Sequence, residues 1–287
     1  MTATASARTG RFYRNRRLLA HGALYAVALA VLAVIIVPIL FAVIGGFRTT
    51  GQIAFEPAAL PDPWIFSNYG RVLTMGAFWR QMLNSLVIAG ITTIVLLPAA
   101  SMAAFVISRF RFRGREGIYW LFTVGLLFPL AVAILPLYIV IRQMGLLSSP
   151  LGVALPQAAF ALPLSIVVLR PFFRSIPREL EEAAAIDGCG PFRFYWSILL
   201  PLSRPVLSTI AVLTIVGSWN AFLLPLVVLV EPTWWTLPLG VTTFSDRYTS
   251  DIAGILAFTT LSMVPALVLY LIAERQIVAG LSGGVKG

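Results

Sequence analysis

The residues with most chemistry to offer lie between Pro171 and Pro205, where four carboxylates, Glu179, Glu181, Glu182 and Asp187, flank Ala183, Ala184 and Ala185. Paired carboxylates can serve general acid and base catalysis when a second group orients them over a substrate. This sequence gives them no such company. Its one histidine, His21, stands near the start of an apolar run, where an amphipathic side chain suits a membrane edge. Its one cysteine, Cys189, excludes an intrachain disulfide. There is no G-x-x-x-x-G-K-[ST] phosphate loop and no H-E-x-x-H zinc helix. The expectation is a chain with no catalytic residue, no metal site and no bound cofactor, whose acidic segment makes contacts.

The segment is ordered as helix, turn and helix. Pro177 suits a first helical turn, because its fixed φ is already helical. Glu179, Glu181 and Glu182 follow, and acids are favoured at the positive end of the helix dipole. The three alanines are the strongest helix formers. Gly188, after Ile186 and Asp187, is placed to end the helix. Pro191 can open a second short helix carrying Phe192, Phe194, Tyr195, Trp196, Ile198 and Leu199. An alanine-rich face lets another protein come close. On these residues alone, the segment is either an amphipathic hairpin that steadies the rest from the membrane surface or a docking surface.

Apolar stretches must position this hairpin. The sequence is 59% hydrophobic and only 11% charged, where soluble domains carry about 25% charged residues. About 20 apolar residues cross a bilayer as a helix. Six stretches qualify: Leu19–Gly46, Leu83–Ser108, Ile118–Ile141, Leu151–Leu169, Val206–Val230 and Ile252–Ala273. None holds Asp, Glu, Lys or Arg, and a charge at mid-membrane costs about 2.5–3.5 kcal/mol on the insertion scale. A proton-coupled carrier, which needs intramembrane ionisable groups, is disfavoured. Every stretch contains proline, which kinks spans through either ordinary packing or the shaping of a path. The first run is too long for a signal-peptide core and is expected to remain as a span.

The basic residues set the orientation. Arg8, Arg11, Arg14, Arg16, Arg17, Arg109, Arg111, Arg113, Arg115, Arg170, Arg174, Arg178, Arg193, Arg204, Arg275 and Lys286 fall on one side, sixteen in all, against five on the other: Arg48, Arg71, Arg80, Arg142 and Arg247. The positive-inside rule makes the richer side cytoplasmic, with both termini inside. Distributed in this way, the net charge of +10 is a topology signal and not the clustered footprint of nucleic-acid binding.

The hairpin also resembles a known motif. Glu182-Ala183-Ala184, three residues, Gly188, nine residues, Ile198, one residue and Leu200-Pro201 is similar to the EAA loop of ATP-binding-cassette import permeases. Arg174 through Ala184, Ile186-Asp187-Gly188, Ser218-Trp219-Asn220 with Phe222-Leu223, and the tail Gly280-Leu281-Ser282 resemble the sugar-importing, maltose-transporter-like branch. Similarity runs from about Asn84 to the C-terminus. Ala221 departs from the pattern, which commonly has an acid there.

The resemblance implies an all-α, polytopic bundle of about six spans with the type I importer (MetI-like) permease fold. It divides the chain into a basic tail (1–18), an extra N-terminal span (19–46), an external loop (47–82), a permease core (83–273) with its coupling loop at 171–205, and a C-terminal tail (274–287). Glu181, Glu182, Ala183, Ala184, Asp187, Gly188, Ile198 and Pro201 are the implied ATPase-coupling residues. Trp219 and Asn220 offer an aromatic face and hydrogen-bonding groups, either for a sugar path or for helix packing. Implied partners are a second homologous permease, two ATPase subunits that hold ATP and magnesium, an external substrate-binding protein and membrane lipid. The implied location is the bacterial inner membrane, and the implied cargo a sugar or oligosaccharide. Polyols, sugar phosphates and peptides are alternative cargoes, and a non-transporting scaffold is the alternative role.

Overall fold

The computed structural model describes the backbone of residues 3–246 and 249–282, with side chains at 21–246 and 249–271. The basic side chains of the 1–18 tail, Arg247, Arg275 and residues 283–287 of the expected C-terminal tail lie outside the described residues. The chain is helical, with no strand among the described residues. Helix α1 (Ala3–Gly45) leads to the short α2 (Thr50–Phe55) and α3 (Ser67–Thr74). The long α4 (Gly76–Arg109) precedes α5 (Arg115–Gly125), α6 (Leu130–Gln143) and the long α7 (Pro150–Ser175). The hairpin follows as α8 (Glu179–Ile186), α9 (Pro191–Phe194), a π-helical turn (Tyr195–Leu199) and α10 (Leu200–Leu202). The chain continues with α11 (Arg204–Trp219), α12 (Leu223–Val228), α13 (Leu237–Gly240) and α14 (Ile252–Ser282).

Among the described residues, four stretches are long and apolar enough to cross a membrane: His21–Gly45, Gly76–Arg109, Pro150–Ser175 and Ile252–Leu271. Two bent pairs raise the number to six when each counts as one span: Arg115–Gly125 with Leu130–Gln143, bent by 100°, and Pro191–Leu202 with Arg204–Trp219, bent by 76°. The expected third span, Ile118–Ile141, is therefore two helices. Pro129 caps α6 in an extended conformation (φ −76°, ψ 131°); it has no N–H to give to the preceding turn and disfavours helix at Phe128. The expected fifth span, Val206–Val230, ends its first helix at Trp219 and resumes at Leu223. The ring of Pro225 would collide with the Ala221 carbonyl of an unbroken helix, which explains the gap.

The chain divides into two compact units. In the first, residues 1–70 and 251–260, the segment after α1 is held by polar contacts to backbone. Arg48, 2% exposed, donates to the Pro57 carbonyl at 3.0 Å, to that of Gln52 at 2.7 Å and to that of Glu56. Thr49 and Gln52 form a capping box at α2, which satisfies two of its orphan donors. Asn68 Nδ2 donates to the Gly46 and Arg48 carbonyls, and the Tyr69 hydroxyl to that of Val43. The ring of Phe47 meets those of Trp64, Phe66 and Tyr69.

The second unit, residues 71–250 and 261–287, is built on the pairing of α4 with α7, against which α11 packs. Ala100 and Ala104 on α4 share a core with Ala158, Ile166, Leu169 and Phe173 on α7. Small residues here let the two backbones approach, which in a bilayer replaces the hydrophobic drive that lipid cannot supply. A second core joins Ile88, Ile141, Val153, Ala154, Leu224 and Val228. At its edge a Cβ on Gly152 would run into the Leu146 carbonyl oxygen, so only glycine fits. Residues such as Leu24, Val34, Trp120 and Leu127 remain exposed, as a surface solvated by lipid requires.

Candidate coupling surface

Helix α7 stops at Ile176, which is extended (φ −70°, ψ 126°) ahead of Pro177, as a residue before proline prefers. Helix α8 then starts with Glu179, Glu181 and Glu182 in its first turn. It ends in a Schellman motif. Gly188 N–H donates to the Ala185 carbonyl at 3.0 Å, and Cys189 N–H to that of Ala184 at 2.8 Å. That pattern needs a left-handed residue at the reversal, and Gly188 supplies it with φ +76°.

The second arm is not a plain helix. Pro191–Phe194 runs into a π turn at Tyr195–Leu199. The wider turn places Phe194, Tyr195 and Leu199 together in the core formed by α4 and α7, where Ala184 of α8 joins them. The hydroxyls of Tyr195 and Ser101 lie 2.7 Å apart, and the Tyr195 and Phe105 rings have centroids 5.2 Å apart.

Charges hold the base of the hairpin. The side chain of Arg109 is buried; its Nη1 lies 3.5 Å from Glu181 Oε2 and its Nη2 donates to the Ile176 carbonyl at 2.8 Å. At the start of α5, Glu116 gathers Arg170, Arg174 and Arg115. Arg170 also lies over the Tyr119 ring, 3.9 Å from its centroid, a favourable cation–π placement.

The hairpin therefore has two faces. Ala184 is buried, and Glu181 and Ile198 are half-buried against the bundle. Glu182, Ala183, Asp187, Gly188 and Pro201 are exposed. Ile186, at the tip, is 87% exposed, and Phe192 and Trp196 are exposed on the second arm. Exposed apolar side chains ringed by charge mark a contact surface. Of the eight residues expected here, Glu181, Ala184 and Ile198 turn toward the bundle, and Glu181 is the charged one among them, held by Arg109.

Trp219 and Asn220 do not form one site. Trp219 is buried and its Nε1 donates to the Ser262 carbonyl at 3.3 Å. Asn220, past the helix end, is exposed and bonds its own helix at Val216. The polar cluster inside the bundle lies elsewhere. Gln157 Oε1 accepts from Thr92 Oγ1 at 3.1 Å and from Ser218 Oγ at 2.6 Å, while its buried Nε2 has no partner. The signal for it was Gln157 itself, an amide inside an apolar stretch. The letters Gly280-Leu281-Ser282-Gly283-Gly284 fit a G-x-S-x-G pattern, but Ser282 closes a helix and does not sit at a strand-to-helix elbow.

Residues 96–281 match the family described as binding-protein-dependent transport system inner membrane component. The chain is 36% identical over 253 residues to the diacetylchitobiose uptake system permease protein of Streptomyces coelicolor, covering 88% of this chain and 84% of that one. It is 34% identical over 231 residues to the trehalose transport system permease protein of Mycobacterium tuberculosis, covering 79% and 84%. Its fold matches a chain of a bacterial ABC transporter involved in the import of the acidic polysaccharide alginate. That match has a TM-score of 0.77 at 23% identity and covers 91% of this chain and 97% of the other.

Proposed function

The chain belongs to the family of binding-protein-dependent transport system inner membrane components, and we propose that its hairpin couples a sugar importer to a cytoplasmic ATPase. As a family member it is a multi-pass permease subunit and not an enzyme. In the proposed assembly it forms half of the translocation pathway, and a second homologous permease forms the other half. Two ATPase subunits hold ATP and magnesium. An external substrate-binding protein delivers the cargo. Both termini face the cytoplasm, on the arginine-rich side.

The observation that carries the coupling role is the two-faced hairpin. Its outer face presents Glu182, Ala183, Ile186, Asp187 and Gly188. Its inner face is tied to α4 by Tyr195 and Arg109. Force applied to the tip therefore reaches a long helix through packed and hydrogen-bonded groups, as rigid-body alternating access requires. The cargo is proposed from the relatives, whose names specify diacetylchitobiose and trehalose. Polyols, sugar phosphates and peptides are the competing cargoes to be tried in the same uptake assay.

The test is purification of the tagged chain from cells that make the whole importer. ATPase should co-purify, and uptake of a labelled disaccharide should depend on it. Glu182→Lys puts a positive charge against the helix dipole and should leave membrane insertion intact while removing most uptake and ATPase retention. A permease that purifies without ATPase, or a Glu182→Lys protein with normal uptake, overturns the coupling role.

A further inference from the structure

Beside the hairpin is a cavity of about 320 Å³ lined by Ser108 and five arginines: Arg109, Arg111, Arg115, Arg174 and Arg178. Two carboxylates offset these charges from the edge, Glu116 with Arg115 and Arg174, and Glu181 with Arg109. Arg111 and Arg178 have no ion-pair partner among the described residues, and the buried Nε of Arg109 has no hydrogen-bond partner. Guanidinium groups facing one cavity repel one another unless an anion lies between them, and the guanidinium fork matches phosphate oxygens.

The position of the cavity narrows the class of anion. Arg109 is the last residue of one membrane-crossing helix, and Arg174 lies in the last turn of another. The arginines thus lie at the ends of two apolar spans, on the side where headgroups are met. The chain leaves α4 extended, with Phe110 at φ −85° and ψ 145°, and runs Arg109-Phe110-Arg111-Phe112-Arg113. The extended Phe110 turns its side chain away from those of its two neighbours. Arg109 and Arg111 line the cavity, while Phe110 and Phe112 line no part of it and are 39% and 40% exposed. Two cavity-lining arginines beside partly exposed phenylalanines, one of which, Phe110, also meets the ring of Phe105, suit the boundary between headgroups and acyl chains.

We propose that this cavity binds the phosphate of an anionic phospholipid from the arginine-rich leaflet, and so fastens the base of the hairpin to the membrane. The site does not rest on the coupling role. Basic pockets at this level favour anionic headgroups, and each arginine adds to the attraction.

The test is native mass spectrometry of the full chain in its detergent-purified complex, titrated with phosphatidylglycerol, phosphatidylcholine or inorganic phosphate. One saturable phosphatidylglycerol is expected, bound at least about tenfold more tightly than phosphatidylcholine and not displaced by millimolar phosphate. Arg111→Gln with Arg178→Gln removes only unpaired arginines and should weaken it by roughly ten- to thirtyfold. Arg113→Gln, which lines no part of the cavity, should not. Equal binding of both lipids, an unchanged double variant, displacement by phosphate alone, or binding that appears only once the ATPase is stripped away would each overturn the proposal. The last would assign the cavity to the protein partner.

Discussion

The Tyr195 hydroxyl lies 2.7 Å from that of Ser101, and this contact ties the second arm of the hairpin to α4. The π turn at Tyr195–Leu199 makes it possible, because one extra residue per turn rotates Tyr195 inward beside Phe105. Tyr195→Phe keeps the ring and removes the bond. Ser101 retains its contact to the Leu97 carbonyl, so the loss should be about 1 kcal/mol. Tyr195→Ala opens a cavity and should cost about 3–5 kcal/mol, as aromatic truncations do. Thermal unfolding of the purified complex checks the ranking. Equal losses in the two variants would mean that the ring adds nothing to the anchor.

Gly188 permits a purely conformational test. No atom lies within 4 Å of a Cβ built there, so a substitution meets no clash and feels only the left-handed backbone at φ +76°. An ordinary L-residue pays about 1–2 kcal/mol in that region, and asparagine less. ATPase retention and uptake should therefore fall in the order Gly188, Gly188→Asn, Gly188→Ala, Gly188→Val. Membrane insertion should be unchanged, since no span is altered. Valine performing as well as asparagine would show that the Schellman reversal is not needed.

Arg109 and Glu181 should behave as a coupled pair. Glu181→Gln leaves a buried guanidinium with the Ile176 carbonyl and no ion-pair partner, and should cost about 1 kcal/mol, because the Glu181 side chain is 39% exposed. Arg109→Lys should also destabilise, because a single ammonium replaces a planar fork that now reaches both Glu181 and Ile176. Adding Glu181→Gln to Arg109→Gln should cost less than it does alone. Unfolding midpoints of the two single variants and the double variant close the cycle. Strict additivity would remove Glu181 as the anchor of α8.

Particular residues show what the sequence could and could not reveal. The α8 helix was legible because its signals are local: Pro177 before it, acids in its first turn, alanines in its middle and Gly188 after it. The π turn was not, since it depends on where Tyr195 meets Ser101 and Phe105, both far away in sequence. Apolar content marks a stretch as buried in lipid or protein but not as straight. Pro129 breaks the third span while Pro98 stays within α4, yet each is simply a proline in an apolar run. Arg109 counted as one more surface charge, because its burial comes from Ile176 and Glu181. Trp219 and Asn220 are adjacent in sequence but parted by a helix end, which sends one inward and leaves the other exposed.

The proposed orientation has a direct chemical test. Cys189 is the one native cysteine, and Cys189→Ser gives a background in which any thiol label reports an introduced site. Ala58 and Thr249 are exposed and lie in segments assigned to the outside; Arg113 is exposed in the arginine-rich loop assigned to the cytoplasm. Ala58 serves better than Thr49, whose hydroxyl caps α2. In intact cells, Ala58→Cys and Thr249→Cys should react with a membrane-impermeant maleimide, and Arg113→Cys only after lysis. The bias of sixteen basic residues to five gives the sign, because positively charged flanks are retained on the cytoplasmic side during insertion. Labelling of Arg113→Cys before lysis would invert the topology. It would place the hairpin outside the cell, beyond reach of any cytoplasmic ATPase, and the coupling role would fall with it.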